Sequence, residues 1–172
     1  MLIIAVTYLA QGMQNTLLGA AWPAMYIGMG VPLAYLSILN TTNYIGRIVA
    51  SVLNVKIVRR LGVERTIFLS ILIKACSVLG FALMPSFVWI WIFCIPLGLA
   101  AGTVDPTLNN YLALNYKPRY ISWLHCLWSG GSVLGPLLIA FYISKTGLWQ
   151  DGYKSAAVIM FVISAILLCS KP

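Results

Sequence analysis

Six stretches of this chain are each long and apolar enough to cross a lipid bilayer, at roughly 2–26, 33–56, 66–84, 87–114, 120–143 and 154–169. A helix needs about 20 mostly apolar residues to span ~30 Å of hydrocarbon. Within lipid, helices and closed barrels are the structures that satisfy every backbone polar group. The expected fold class is therefore an all-α membrane protein with six transmembrane helices. The separators are short and carry breakers or charges, at 28–32, 59–65, 85–86, 117–119 and 145–152. Connections this tight predict that consecutive spans are antiparallel neighbours. Only 8% of the 172 residues are charged, far below the quarter or so of a soluble domain. That excludes a soluble enzyme, a nucleic-acid-binding domain and a disordered tail. Met1-Leu2-Ile3-Ile4 enters an apolar run with no basic segment before it, and is read as the first span rather than a secretory leader.

The formal charge of +8 has a positional explanation. Lys56, Arg59, Arg60 and Arg65 cluster between spans two and three, Lys117 and Arg119 between four and five, and Lys171 sits in the tail. Lys145 and Lys154 fall on the opposite side. Basic residues concentrate on the cytoplasmic face of membrane proteins, so both termini are expected in the cytoplasm of a cell-membrane protein. The basic excess then lies beside anionic lipid, and no nucleic-acid partner is expected. Cys76, Cys94, Cys126 and Cys169 are scattered through apolar sequence, without a C-x-x-C or a histidine at ligand spacing. Neither a disulfide, a metal site nor a cofactor is expected; the cysteines are read as small buried hydrophobes.

Polar residues inside the spans are unevenly shared. Span one carries Gln11, Gln14, Asn15 and Thr16; span two Asn40, Thr41, Thr42, Asn43, Arg47 and Ser51; span four Thr103, Asp105, Thr107, Asn109 and Asn110; span five Ser122, His125, Ser129 and Ser132. Spans three and six have little beyond serines, glycines and Lys74. Polar side chains in hydrocarbon face protein or water, so spans one, two, four and five are expected to line a hydrated region and spans three and six to face lipid. Asn40, Asn43, Arg47, Ser51 and Asn54 recur at three- and four-residue steps along one face. Interhelical hydrogen bonding suits any single serine, but fits poorly for continuous stripes that contain Arg, Asp and His. Residues 9–15 also match 99–105 at an offset of 90, with Leu, Ala and Gly identical and Asn15 over Asp105. Spans one and four run in opposite directions, so the halves 1–84 and 87–172 of a single domain are expected to form a 3+3 inverted repeat, an architecture of secondary transporters.

The most specific segments are Gly102-Thr103-Val104-Asp105-Pro106-Thr107-Leu108-Asn109-Asn110-Tyr111, Trp123-Leu124-His125 and Gly130-Gly131-Ser132-Val133-Leu134-Gly135-Pro136. With six spans, inward termini and a basic loop after the second, the whole chain resembles the amino-terminal six-helix half of a major facilitator superfamily transporter. It is most similar to the fucose-permease-like sugar/proton symporter branch. The family's Gly-x-x-x-Asp-Arg-x-Gly loop reads here as residues 55–62, with Arg60 and Gly62 matching but Val55 and Arg59 replacing the Gly and the Asp.

The resemblance implies proton-coupled uptake of a sugar or similar small polar solute by alternating access, and no enzyme activity. Family members have about twelve spans. The alternative is a half-size or truncated transporter without transport of its own, or one acting only with a second copy or a second six-helix half. Asp105, the acid inside a span, is read as the proton-coupling group or as the ion-pair partner of Arg47, and His125 as a proton relay or a packing histidine. Gln14, Asn15, Asn43, Asn109 and Asn110 are solute-binding candidates, with Trp123 and Trp128 stacking on a sugar ring. Arg59, Arg60, Gly62 and Arg65 form the gating loop. Trp89, Trp91 and Trp149 are assigned to interfacial belts. Gly98-x-x-x-Gly102 and Gly131-x-x-x-Gly135 allow close helix approach. Lys74 has no assigned partner.

Overall fold

A computed structural model describes residues 1–169; Lys171 and the side chain of Cys169 lie outside the described residues. The order is α1 (Leu2–Met29), α2 (Tyr35–Leu61), α3 (Val63–Leu83), α4 (Phe87–Asn115), α5 (Pro118–Thr146) and α6 (Trp149–Cys169), with no strand among the described residues. All six expected helices are present. Four of them, α3 to α6, are long and apolar enough to cross a membrane by length and composition. α1 and α2 fall short in apolarity, not in length, at 28 and 27 residues. At 1.5 Å per residue each is about 40 Å long. The residues that dilute them are Gln11, Gln14 and Asn15 in α1, and Asn40, Asn43, Arg47 and Asn54 in α2.

Three of the five separators, the second, fourth and fifth, are shorter than expected. The stretch 59–65 is helical except at Gly62, which closes α2 and opens α3. Its φ of 82° with ψ of 162° lies in a region open essentially to glycine alone. Its N–H donates to the Val58 carbonyl at 2.9 Å, and its own carbonyl accepts the Thr66 hydroxyl at 2.6 Å. The segment expected to form the gating loop is thus a one-residue corner: Arg59 and Arg60 lie in the last turn of α2, and Arg65 in the first turn of α3, all exposed. α4 and α5 run unbroken through Pro96, Pro106 and Pro136.

Consecutive helices are mostly not the main packing partners, contrary to expectation. α1 packs on α5 and α2 on α4, while α3 lies between α4 and α6; of the consecutive pairs only α3 and α4 pack extensively. Close approach at glycine decides the pairing. Gly12 abuts the Trp128 backbone and Gly131 the Leu9 backbone, drawing α1 onto α5. Gly98 and Gly102 abut the backbones of Asn43 and Arg47, drawing α2 onto α4. Both Gly-x-x-x-Gly pairs therefore sit at tight crossings.

The assignment of α3 to lipid is also corrected. Of the four apolar helices α3 is the most enclosed and α5 the least. α3 presents Ala75, Ser77, Gly80 and Ala82 to its neighbours, small residues that admit close packing on both sides. The main core joins Trp22, Met25, Phe81, Ile90, Cys94, Tyr153 and Met160; a second cluster gathers Ile67, Ile71, Val104, Leu112 and Leu124. Trp149 belongs to the main core, edge-on to Tyr153 at 5.6 Å, rather than to an interfacial belt. Cys94 is buried, whereas Cys76 and Cys126 are exposed, so the expectation of buried cysteines holds for Cys94 among the three described.

Candidate functional site

Beside the second cluster, with which it shares Tyr8, Leu108 and Trp128, lies a cavity of about 260 Å³ lined by Tyr8, Gln11 and Asn15 of α1, Arg47 of α2, Asp105, Leu108 and Asn109 of α4, and His125 and Trp128 of α5. Residues 8, 11 and 15 share one face of α1, and 105, 108 and 109 one face of α4, because steps of three and four return to the same side of a helix. A larger cavity of about 350 Å³ opens beside Met1, Ile4, Ile67 and Tyr111, but its wall is mainly apolar.

α1 organises the polar wall. The Tyr8 hydroxyl donates to Asn109 Oδ1 at 2.7 Å, and its ring meets His125 edge-on at 5.6 Å. Gln11 is buried and serves two charges at once. Its Oε1 accepts from Lys74 Nζ on α3, and its Nε2 donates to Asp105 Oδ1 at 3.4 Å. Asn15 Oδ1 accepts from Arg47 Nη2. Lys74 is completely enclosed, at 0% exposure, and interacts electrostatically with Asp105 and Arg47. Such burial of an ammonium requires compensating hydrogen bonds and charge, which Gln11 and Asp105 supply.

The Arg47–Asp105 pair does not form. Among the described residues the ion pair is Lys154–Asp151, at 2.9 Å on the surface of α6. Arg47 turns to Asn15 instead, and Lys74, left without a partner by the sequence, takes the acid through Gln11.

Asp105, Arg47, His125, Asn15, Asn109 and Trp128 come together around the cavity. Gln14 is buried outside its wall with Oε1 unpaired, and Asn43 donates to the Cys94 carbonyl at 3.5 Å. Asn110 is exposed and Trp123 is 71% exposed, and neither lines the cavity. Arg59, Arg60, Gly62 and Arg65 lie apart from it, at the α2–α3 corner.

The polar stripe on α2 is largely interhelical bonding after all. Ser51 donates to the Gly102 carbonyl at 3.0 Å, Asn54 accepts the Thr107 hydroxyl at 2.9 Å, and Asn43 reaches α4 as above. Arg47 alone of that row lines the cavity. The mirror contact on the other helix pair is Ser132 donating to the Gly12 carbonyl at 3.4 Å.

Sequence reading passed over Tyr8 and Leu108, and counted Gln11 among the polar residues of span one without giving it a role. Helical phase carries part of the missing signal: Gln11 is one turn from Asn15 and Asn110 sits about 100° from Asn109, whereas Gln14, three residues from Gln11, is set outside the wall only by the structure. Among the described residues no group of acidic, histidine and cysteine side chains is arranged to hold a metal ion.

A family model described as "Major Facilitator Superfamily" matches residues 4–171. No curated protein gives a significant match.

Proposed function

The chain belongs to the Major Facilitator Superfamily, multi-pass membrane proteins that move small solutes across the lipid bilayer, and on that premise we propose that it carries a sugar or similar small polar solute coupled to protons. The observation that carries this reading is Asp105, a half-buried acid at a cavity whose wall also holds three amides, a phenol, an imidazole, a guanidinium, an indole and Leu108. Acids inside membrane helices mark substrate and proton pathways. Deprotonated, Asp105 holds the Gln11 amide and, through it, Lys74. Protonation removes the charge that orients Gln11 and so loosens the α1–α3–α4 junction. Asn15, Asn109 and the Tyr8 hydroxyl then offer hydrogen bonds to solute hydroxyls, and the Trp128 ring a stacking face. His125, beside Tyr8, is the relay toward Asp105.

Alternating access in this reading is rocking about the cavity. An inverted repeat of 1–84 and 87–172 is supported by paired contacts: Gly12 and Ser132 join α1 to α5 as Gly102 and Ser51 join α4 to α2. Lys56 and the arginines at the α2–α3 corner, with Lys117 and Arg119, support cytoplasmic termini in the cell membrane. A second reading is a half-size carrier completed by another copy or by a second six-helix half. It is favoured by the open flanks of α2 and α5, where Asn40, Ser51, His125 and Ser129 are exposed.

The test is proton-driven uptake into reconstituted vesicles across a sugar panel, comparing the chain with Asp105→Asn. Uptake should fall at least tenfold on substitution. Unchanged uptake removes Asp105 from the mechanism.

A further inference from the structure

Two cations and one acid meet at the cavity, and the hydrogen bonds divide them unequally. Asp105 is engaged by Gln11, whose other end holds the fully enclosed Lys74. The acid's hydrogen bonding is therefore directed toward Lys74, and it forms no ion pair with Arg47. Arg47 receives a neutral partner, Asn15, and the Tyr44 ring at 5.9 Å. Its Nε is buried with no hydrogen-bond partner among the described residues. Arg47 thus lines the cavity with no carboxylate in ion-pair contact, the one acid in the wall being shared with the buried Lys74, and His125, the other titratable cation former in the wall, can only add to the positive charge. A partly enclosed guanidinium is stabilised best by a carboxylate, which it binds through parallel N–H donors.

We infer that the solute is an anion, a small hydroxylated carboxylate of the sugar-acid class, whose carboxylate docks on Arg47 while its hydroxyls meet Asn109 and Tyr8. This rests on the reading of the cavity as the transport site and replaces a neutral sugar by a charged one. Lys74 acts as a positioning residue: by occupying Asp105 through Gln11, it keeps the acid from closing onto Arg47.

The purified chain in detergent would be titrated with D-glucuronate and with D-glucose, which share a ring and differ at the carboxylate. D-Glucuronate should bind at least tenfold more tightly than D-glucose. Acetate should compete with it, a measurement needing no variant. Arg47→Gln should weaken glucuronate binding at least tenfold, whereas Asp105→Asn, which removes a negative charge from the wall, should tighten it. Equal or tighter binding of D-glucose, no competition by acetate, or indifference to Arg47→Gln overturns the anion assignment, and in those cases proton-driven sugar uptake stands or falls separately. Binding of neither compound overturns it as well.

Discussion

Gln11 shows how one neutral side chain can hold a buried charge in place. Its carbonyl oxygen accepts from Lys74 and its amide nitrogen donates to Asp105, so replacing it strands an enclosed ammonium. A hydrogen bond to a charged group is worth about 1.5–3 kcal/mol, and Gln11→Leu should destabilise the chain by about that much. Thermal unfolding in detergent would record it. Lys74→Met in the same background should recover most of the loss, because the stranded charge is then gone. Gly62 poses a separate local problem. At φ 82° and ψ 162° a side chain is strained whatever the space around it, and Gly62→Ala should cost about 1–3 kcal/mol, read as a lower unfolding midpoint. The preference for Asn109 over Asn110 follows helical phase, since Asn109 lies one turn from Asp105; Gln11 and Gln14 are themselves one turn apart, and only the structure separates them. Lys74 was not legible, since nothing along the sequence links position 74 to position 11.

At the scale of elements, small residues choose partners. α1 meets α5 and α2 meets α4 where a glycine lets one backbone touch another. A Cβ on Gly102 would run into the Arg47 backbone, which has no side-chain freedom with which to yield. Gly102→Ala should therefore cost about 1–3 kcal/mol through overpacking, and it should also displace Arg47 from the cavity. Gly19 is the contrast: it lies within α1 with nothing near the position of an added Cβ. Gly19→Ala should stabilise by about 0.5–1 kcal/mol, since glycine inside a helix loses more conformational freedom on folding than alanine. Unfolding midpoints moving in opposite directions would separate a packing glycine from an incidental one. The same logic explains why loop length misjudged the neighbours. Short connections bring the ends of consecutive helices together, but they do not make their faces complementary.

For the whole molecule, the arrangement in the membrane is open to direct measurement. With Cys76, Cys126 and Cys169 replaced by serine and Cys94 buried, Arg60→Cys and Thr146→Cys each place one accessible thiol, at the α2–α3 corner and at the end of α5. A membrane-impermeant maleimide should label Thr146→Cys in intact cells and Arg60→Cys only after permeabilisation. The reverse pattern would overturn cytoplasmic termini. Six helices and their approximate limits could be read from the chain alone, because length and apolarity are local properties and hydrocarbon leaves the backbone few alternatives. The polar side chains that had to be sheltered could be read in the same way. Which of them meet was decided only by the tertiary structure. That Arg47 goes to Asn15 while Lys74 takes Asp105 through Gln11 depends on the rotation and separation of four helices, set by glycine contacts between segments far apart in sequence.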